Sequence, residues 1–98
     1  MFNDLEHINL VVICTPSGMH YEHSVDIINN YRKDIVIEKP TFMNPKQLAE
    51  VNKLCKKHDI KYFPVFQNRY NKAVQFVRKA LESKILGNVN LLNIQVRW

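Results

Sequence analysis

Three short polar runs carry the side chains that could do chemistry: Thr15-Pro16-Ser17 with His20 just beyond, Glu38-Lys39-Pro40, and Gln67-Asn68-Arg69-Tyr70. Between them they offer hydroxyls, an imidazole, a carboxylate, an ammonium, amides and a guanidinium. Such a set can hold a polar ligand and stabilise a shifting proton. Taken singly, each run reads as a turn, a solvated strand end or loop surface. Each also follows an apolar run with strand character. If those strands are parallel, all three runs lie at carboxyl ends on one rim, where open α/β sheets collect their ligands. Read together, the three favour a site. His20 and His23 are spaced i, i+3, a spacing that allows metal ligation, but no third ligand candidate lies nearby and no metal is expected.

The elements that must position these runs follow from periodicity. Asn9 to Cys14 is apolar on both faces and reads as a central strand. Thr15-Pro16-Ser17-Gly18 breaks it with turn chemistry. A helix is expected from about Met19 to Tyr31, with Tyr21, Val25, Ile28 and Tyr31 on one face and Asn29-Asn30 at its end. Ile35-Val36-Ile37 is a short second strand, stopped at Pro40. The next helix is well signalled: Asn44 as N-cap, Pro45 at the first position and Gln47 as capping-box partner. Its apolar stripe is Leu48, Val51, Leu54 and Cys55, and His58-Asp59 ends it. A third strand, Lys61 to Phe66, contains Pro64 and is therefore expected at a sheet edge. A third helix should run from Lys72 to Leu86, with Val74, Val77, Leu81 and Ile85 inward and Gly87 as its cap. Val89 to Trp98 alternates loosely and reads as a fourth strand.

The order βαβαβαβ implies an α/β fold with a parallel sheet and right-handed crossovers for the first three strands. The first strand, with only eight residues before it, would be a bare sheet edge, which natural domains avoid. The last strand has no partner in the chain either. The chain is therefore expected to be a piece of a larger protein, cut at both ends.

Composition narrows the class. The 98 residues are 46% hydrophobic and 23% charged, ordinary for a soluble globular domain. No apolar run reaches the roughly 18 residues of a membrane span. Met1 to Glu6 lacks the basic and apolar regions of a signal peptide. Cys14 and Cys55 lie outside any CxxC and read as buried free thiols of a cytoplasmic protein. The net charge of +5 would suit a polyanion, but the lysines are scattered over several elements and read as a solvated surface, so no nucleic-acid partner is expected.

The run Val12-Ile13-Cys14-Thr15-Pro16-Ser17-Gly18-Met19-His20, then Ile35-Val36-Ile37-Glu38-Lys39-Pro40, Gln67-Asn68-Arg69-Tyr70 and Gly87-Asn88-Val89, resembles the Gfo/Idh/MocA oxidoreductases. Within that superfamily the runs look most like the UDP-N-acetylhexosamine or hexosaminuronate 3-dehydrogenases of surface-polysaccharide synthesis. The resemblance implies the C-terminal half of a Rossmann (doubly wound parallel) domain, βαβαβα, over residues 1–86. Residues 87–98 would begin an antiparallel substrate domain. It implies NAD or NADP as cofactor, a sugar or nucleotide-sugar substrate and a homo-oligomer. Thr15, Pro16, Ser17 and His20 match the turn lining the cofactor's ribose and nicotinamide side, and Glu38 matches a residue near the nicotinamide ribose. Lys39 matches the catalytic lysine that contacts the reacting hydroxyl, and an ammonium there can polarise an alkoxide. Pro40 matches a proline often preceded by a cis peptide. Gln67, Asn68 and Arg69 match a loop beside nicotinamide and substrate, and Trp98 falls near the active-site face.

Departures from the family are equally plain. The G-x-G-x-x-G turn that cradles the pyrophosphate is absent, because the chain has only Gly18 and Gly87. The residue that separates NAD from NADP and the downstream aspartate/histidine pair are absent too. Arg32-Lys33-Asp34 stands where many members have Gly-Lys, and reads as a surface change. The chain alone is expected to be inactive or nearly so. The competing expectation is a non-catalytic half-Rossmann module that oligomerises or binds a partner through its exposed edges.

Overall fold

The computed structural model describes residues 7–95. They divide into two compact units, the first ending at Val65 and the second beginning at Phe66. In the first unit β1 (Leu10–Ile13), β2 (Asp34–Ile37) and β3 (Tyr62–Pro64) form a three-stranded parallel sheet in the order β1-β2-β3. α1 (His20–Asp26) and α2 (Pro45–His58) make the crossovers.

β2 is the central strand because its neighbours use both its edges. Leu10 pairs with Asp34 and Ile13 with Ile37 on one side, Ile35 with Tyr62 and Ile37 with Pro64 on the other. Ile35 and Ile37 are fully buried and join Ile13, Ile28, Val51, Cys55 and Ile60 in the core. Strand alternation sends Leu10, Val12, Val36 and Phe63 to the opposite face, where Val12 is 58% and Phe63 49% exposed. Among the described residues no strand pairs with the outer edge of β1, and Leu10 and Val12 on its second face are exposed.

β3 lies at the other edge, as Pro64 requires. The Pro64 nitrogen faces the free edge, and the ladder to β2 runs past it through Val65 N–H, which donates to the Ile37 carbonyl at 2.9 Å. At the strand's other end Lys61 N–H donates to the Asp34 carboxylate at 2.8 Å, while Ile35 N–H donates to the Lys61 carbonyl at 3.0 Å.

The segment after β1 is not one uniform helix. A 3-10 turn over Ser17–Met19 leads into α1, and Ile27–Tyr31 then winds as a π-helix. The wider winding keeps Ile28 buried and Ile27 packed against the core. The helical segment ends at Tyr31, as expected, and Arg32 closes it in the left-handed region with φ 54°.

α2 follows the sequence closely. The Asn44 side chain accepts from Gln47 N–H at 3.0 Å, but Gln47 reaches back to Met43 N–H, one residue earlier than a capping box pairs. Val51 and Cys55 are buried and Leu54 packs against the core, whereas Leu48, at the start of the stripe, is exposed. The Tyr21 hydroxyl bonds to the Glu50 carboxylate between α1 and α2.

The second unit departs most from expectation. α3 (Lys72–Glu82) ends four residues short of Leu86, because the backbone turns left-handed at Lys84, φ 56°, whose N–H bonds to Leu81 in a tighter turn. Gly87, at φ 64°, closes a later turn on Lys84 instead of capping α3. The face expected inward is exposed: Val74, Val77 and Leu81 by more than 40%, Ile85 by 78%. Residues 88–95 form no strand, since a strand without a neighbour has no ladder to hold it. Trp98 lies outside the described residues.

Cys14 is exposed, contrary to the buried thiol expected, because β1 ends one residue before it. Cys55 is buried. Among the described residues no helix is long and apolar enough to cross a membrane.

Candidate active-site rim

β1 and β2 run parallel and end level with each other, so the segments that follow them emerge side by side. Glu38 N–H donates to the Ile13 carbonyl at 3.0 Å, the last ladder bond before the chains turn away. Beyond it lie Thr15-Pro16-Ser17 on one side and Glu38-Lys39-Pro40 on the other. Pro16 supplies the extended residue that opens the 3-10 turn, and Met19 N–H closes the turn on the Pro16 carbonyl at 2.8 Å. The Lys39–Pro40 peptide is cis.

His20 lies between the two segments. It is 1% exposed, with Nδ1 2.9 Å from the Pro40 carbonyl oxygen and Nε2 2.8 Å from the Thr15 carbonyl oxygen. Ser24, one turn along α1 and fully buried, donates its hydroxyl to the His20 carbonyl at 2.6 Å. His23 sits 3.0 Å from the Thr15 hydroxyl through its Nδ1. The two histidines make separate sets of hydrogen bonds. Among the described residues no cluster of three or more histidine, cysteine, aspartate or glutamate side chains could hold a metal.

Lys39 is exposed at this rim, and Glu38 turns its carboxylate back to accept Lys39 N–H at 2.7 Å. The Thr15 and Ser17 hydroxyls, the Glu38 carboxylate and the Lys39 ammonium give this rim both donors and acceptors for a polar ligand. Nothing here suits a pyrophosphate. A Cβ at Gly18 would meet no atom within 4 Å, so no atom of this chain requires glycine at that turn.

The third polar run belongs to the second unit. Gln67–Tyr70 forms a 3-10 turn with all four residues exposed, and the Arg69 guanidinium lies 4.9 Å from the centroid of the Phe66 ring. Asn71, next in the chain, caps α3 by accepting from Ala73 and Val74 N–H.

The sequence pointed to the Thr15 turn and to Glu38-Lys39-Pro40, left Ser24 out, and offered His23 only as a metal ligand. Ser24 stands four residues after His20, a spacing that stacks both on one helical turn and was available as a signal. The Thr15–His23 bond spans eight residues and has no local signature.

Residues 1–66 match the oxidoreductase family with NAD-binding Rossmann fold termed GFO_IDH_MocA. The chain belongs to that family. An uncharacterized oxidoreductase of Synechocystis is 29% identical over 99% of this chain and 27% of its own length. A scyllo-inositol 2-dehydrogenase (NADP(+)) of Bacillus subtilis is 24% identical over 93% of this chain and 28% of its own. Among solved structures, the WlbA dehydrogenase of Bordetella pertussis, crystallised with NADH and UDP-GlcNAcA, superposes with a TM-score of 0.75. It is 30% identical, over 82% of this chain and 23% of that one. The chain thus spans little more than a quarter of the curated relatives it matches.

Proposed function

We propose that this chain supplies the nicotinamide-side rim of an NAD(P)-dependent dehydrogenase acting on a sugar or nucleotide-sugar hydroxyl. The observation that carries the reading is the placement of Lys39. It is exposed at the carboxyl edge of the sheet, in a segment anchored to β1 on one side and to His20 on the other. The Bordetella dehydrogenase, with its NADH and UDP-sugar, supports this substrate class.

The nicotinamide, when bound, takes or returns the hydride. The chain's part is to orient and to stabilise charge. Lys39 donates to the reacting hydroxyl oxygen and stabilises negative charge developing on it. Thr15, Pro16 and Ser17 line the nicotinamide side, Glu38 meets its ribose, and Pro40 directs the segment. Gln67, Asn68 and Arg69, which family resemblance assigns to nicotinamide and substrate, belong to the second unit. The substrate of polysaccharide synthesis nearest to this reading is a UDP-N-acetylhexosamine or its uronate.

A chimera tests the reading directly, with residues 8–70 of this chain replacing the matching stretch of the Bordetella enzyme. Hydride transfer to NAD should survive, and Lys39→Met should then lower kcat by about 10²–10⁴-fold while leaving NADH binding intact. A Lys39→Met chimera as fast as its parent would overturn the role given to Lys39.

One observation favours a second reading, a partner-binding half-Rossmann module. Among the described residues no strand lies beside the outer edge of β1, and the sheet face bearing Leu10, Val12 and Phe63 is exposed.

A further inference from the structure

We propose that His20 is a positioning residue that sets the place of Lys39, and that it touches neither cofactor nor substrate. The proposal rests on the reading of Lys39 as the catalytic lysine, and it gives His20 a different task from the ribose contact implied by family resemblance.

The imidazole is 1% exposed and both its nitrogens lie against backbone carbonyls, at 2.8 Å and 2.9 Å. No ring atom with hydrogen-bonding capacity is left for a ligand. Those carbonyls belong to the two rim segments, Thr15 on one and Pro40 on the other. The ring therefore ties the turn after β1 to the residue immediately following Lys39. On the other side of Lys39, Glu38 N–H is held by the Ile13 carbonyl at 3.0 Å. Lys39 thus sits between two anchored neighbours, one fixed by the sheet and one by His20. The base of the brace is itself held, since the buried Ser24 hydroxyl bonds to the His20 carbonyl at 2.6 Å. Each nitrogen lies within hydrogen-bond distance of a carbonyl acceptor, so the ring spans the two segments whichever nitrogen carries the proton. Misplacing a catalytic group by about 1 Å can cost on the order of 100-fold in rate, which is why such a brace has a function beyond packing.

The test is nuclear magnetic resonance on the 98-residue chain, which reads positioning without turnover. In the unsubstituted protein the His20 ring N–H should be protected from solvent exchange and should correlate with a carbonyl carbon of Thr15 or Pro40. His20→Phe, which keeps a buried ring without donors, should shift the Thr15 and Pro40 carbonyl signals and the Lys39 amide while leaving Val51 and Cys55 in place. His20→Gln, with one donor group, should restore one of the two carbonyl signals. Freely exchanging ring protons in the unsubstituted chain would overturn the proposal, and this measurement stands even if His20→Phe fails to fold. Shifts confined to residues 19–25 in His20→Phe, or spread through the core, would overturn it equally. Lys39→Met should leave the His20 signals unchanged, so an error about Lys39 and an error about His20 give different results.

Discussion

Cys14 follows the last residue of β1 and is exposed, whereas Cys55 belongs to the core with Ile35 and Ile37. Burial, and then the negative charge of Asp34, push the Cys55 thiol up from its ordinary value. A thiol reagent should therefore label Cys14 in the native protein and reach Cys55 only on unfolding, as a two-step absorbance titration would show. The pH dependence has a definite sign. The unfolded thiol ionises first, so the unfolded state binds fewer protons and stability falls as pH rises through and above the thiol range. Below that range the contribution of Cys55 is constant. Denaturant midpoints for the native chain and for Cys55→Ala, compared on both sides of that range, check this. The decline should be smaller in the variant.

At the scale of elements, the ends of helices are where chemistry and backbone disagree. Arg32 reads as an ordinary surface residue in the sequence, yet it closes the first crossover in the left-handed region, with φ 54°. An L residue there is strained by about 1–2 kcal/mol, which glycine escapes at an entropic cost of about 0.5–1 kcal/mol. Arg32→Gly should thus stabilise the chain by about 0.5–1 kcal/mol, measured as a higher urea midpoint with an unchanged slope. Elements whose signals are local were legible from sequence: the Asn44 cap of α2, the Pro64 edge of β3, the β-branched β2. The two segments flanking Lys39 were placed on one rim because parallel pairing alone brings strand ends together. What was not legible depended on contacts that no local pattern encodes. The π-winding of Ile27–Tyr31, the engagement of His20 with two carbonyls and the early stop of α3 at Ser83 are of this kind. The apolar stripe of α3 promised burial, but a stripe states only what a helix would cover, not whether a surface is there to cover it.

For the whole molecule, the dominant fact is apolar surface without a lid. Leu10, Val12 and Phe63 are exposed on the free sheet face, and Val74, Val77 and Leu81 are exposed along α3. Patches of this kind mark surfaces that meet another protein surface. The chain should therefore associate in a concentration-dependent way, and Val12→Lys should shift it toward monomer in sedimentation velocity without lowering its helix content. A monomer at every concentration would remove edge and face pairing as a use of this surface.

The Asp34 carboxylate, which accepts Lys61 N–H ahead of β3, has a consequence for counting. A parallel strand of three residues carries few ladder bonds to set its phase, and sliding by a single residue would exchange its two faces. With Lys61 clasped at 2.8 Å, the phase is chosen before the strand begins. Tyr62 then turns toward Phe42 and Asn52, bonding to the latter at 2.9 Å, and Phe63 turns away. Asp34 is the zero mark from which β3 is measured, and the side on which each aromatic ring ends up is settled by a single carboxylate.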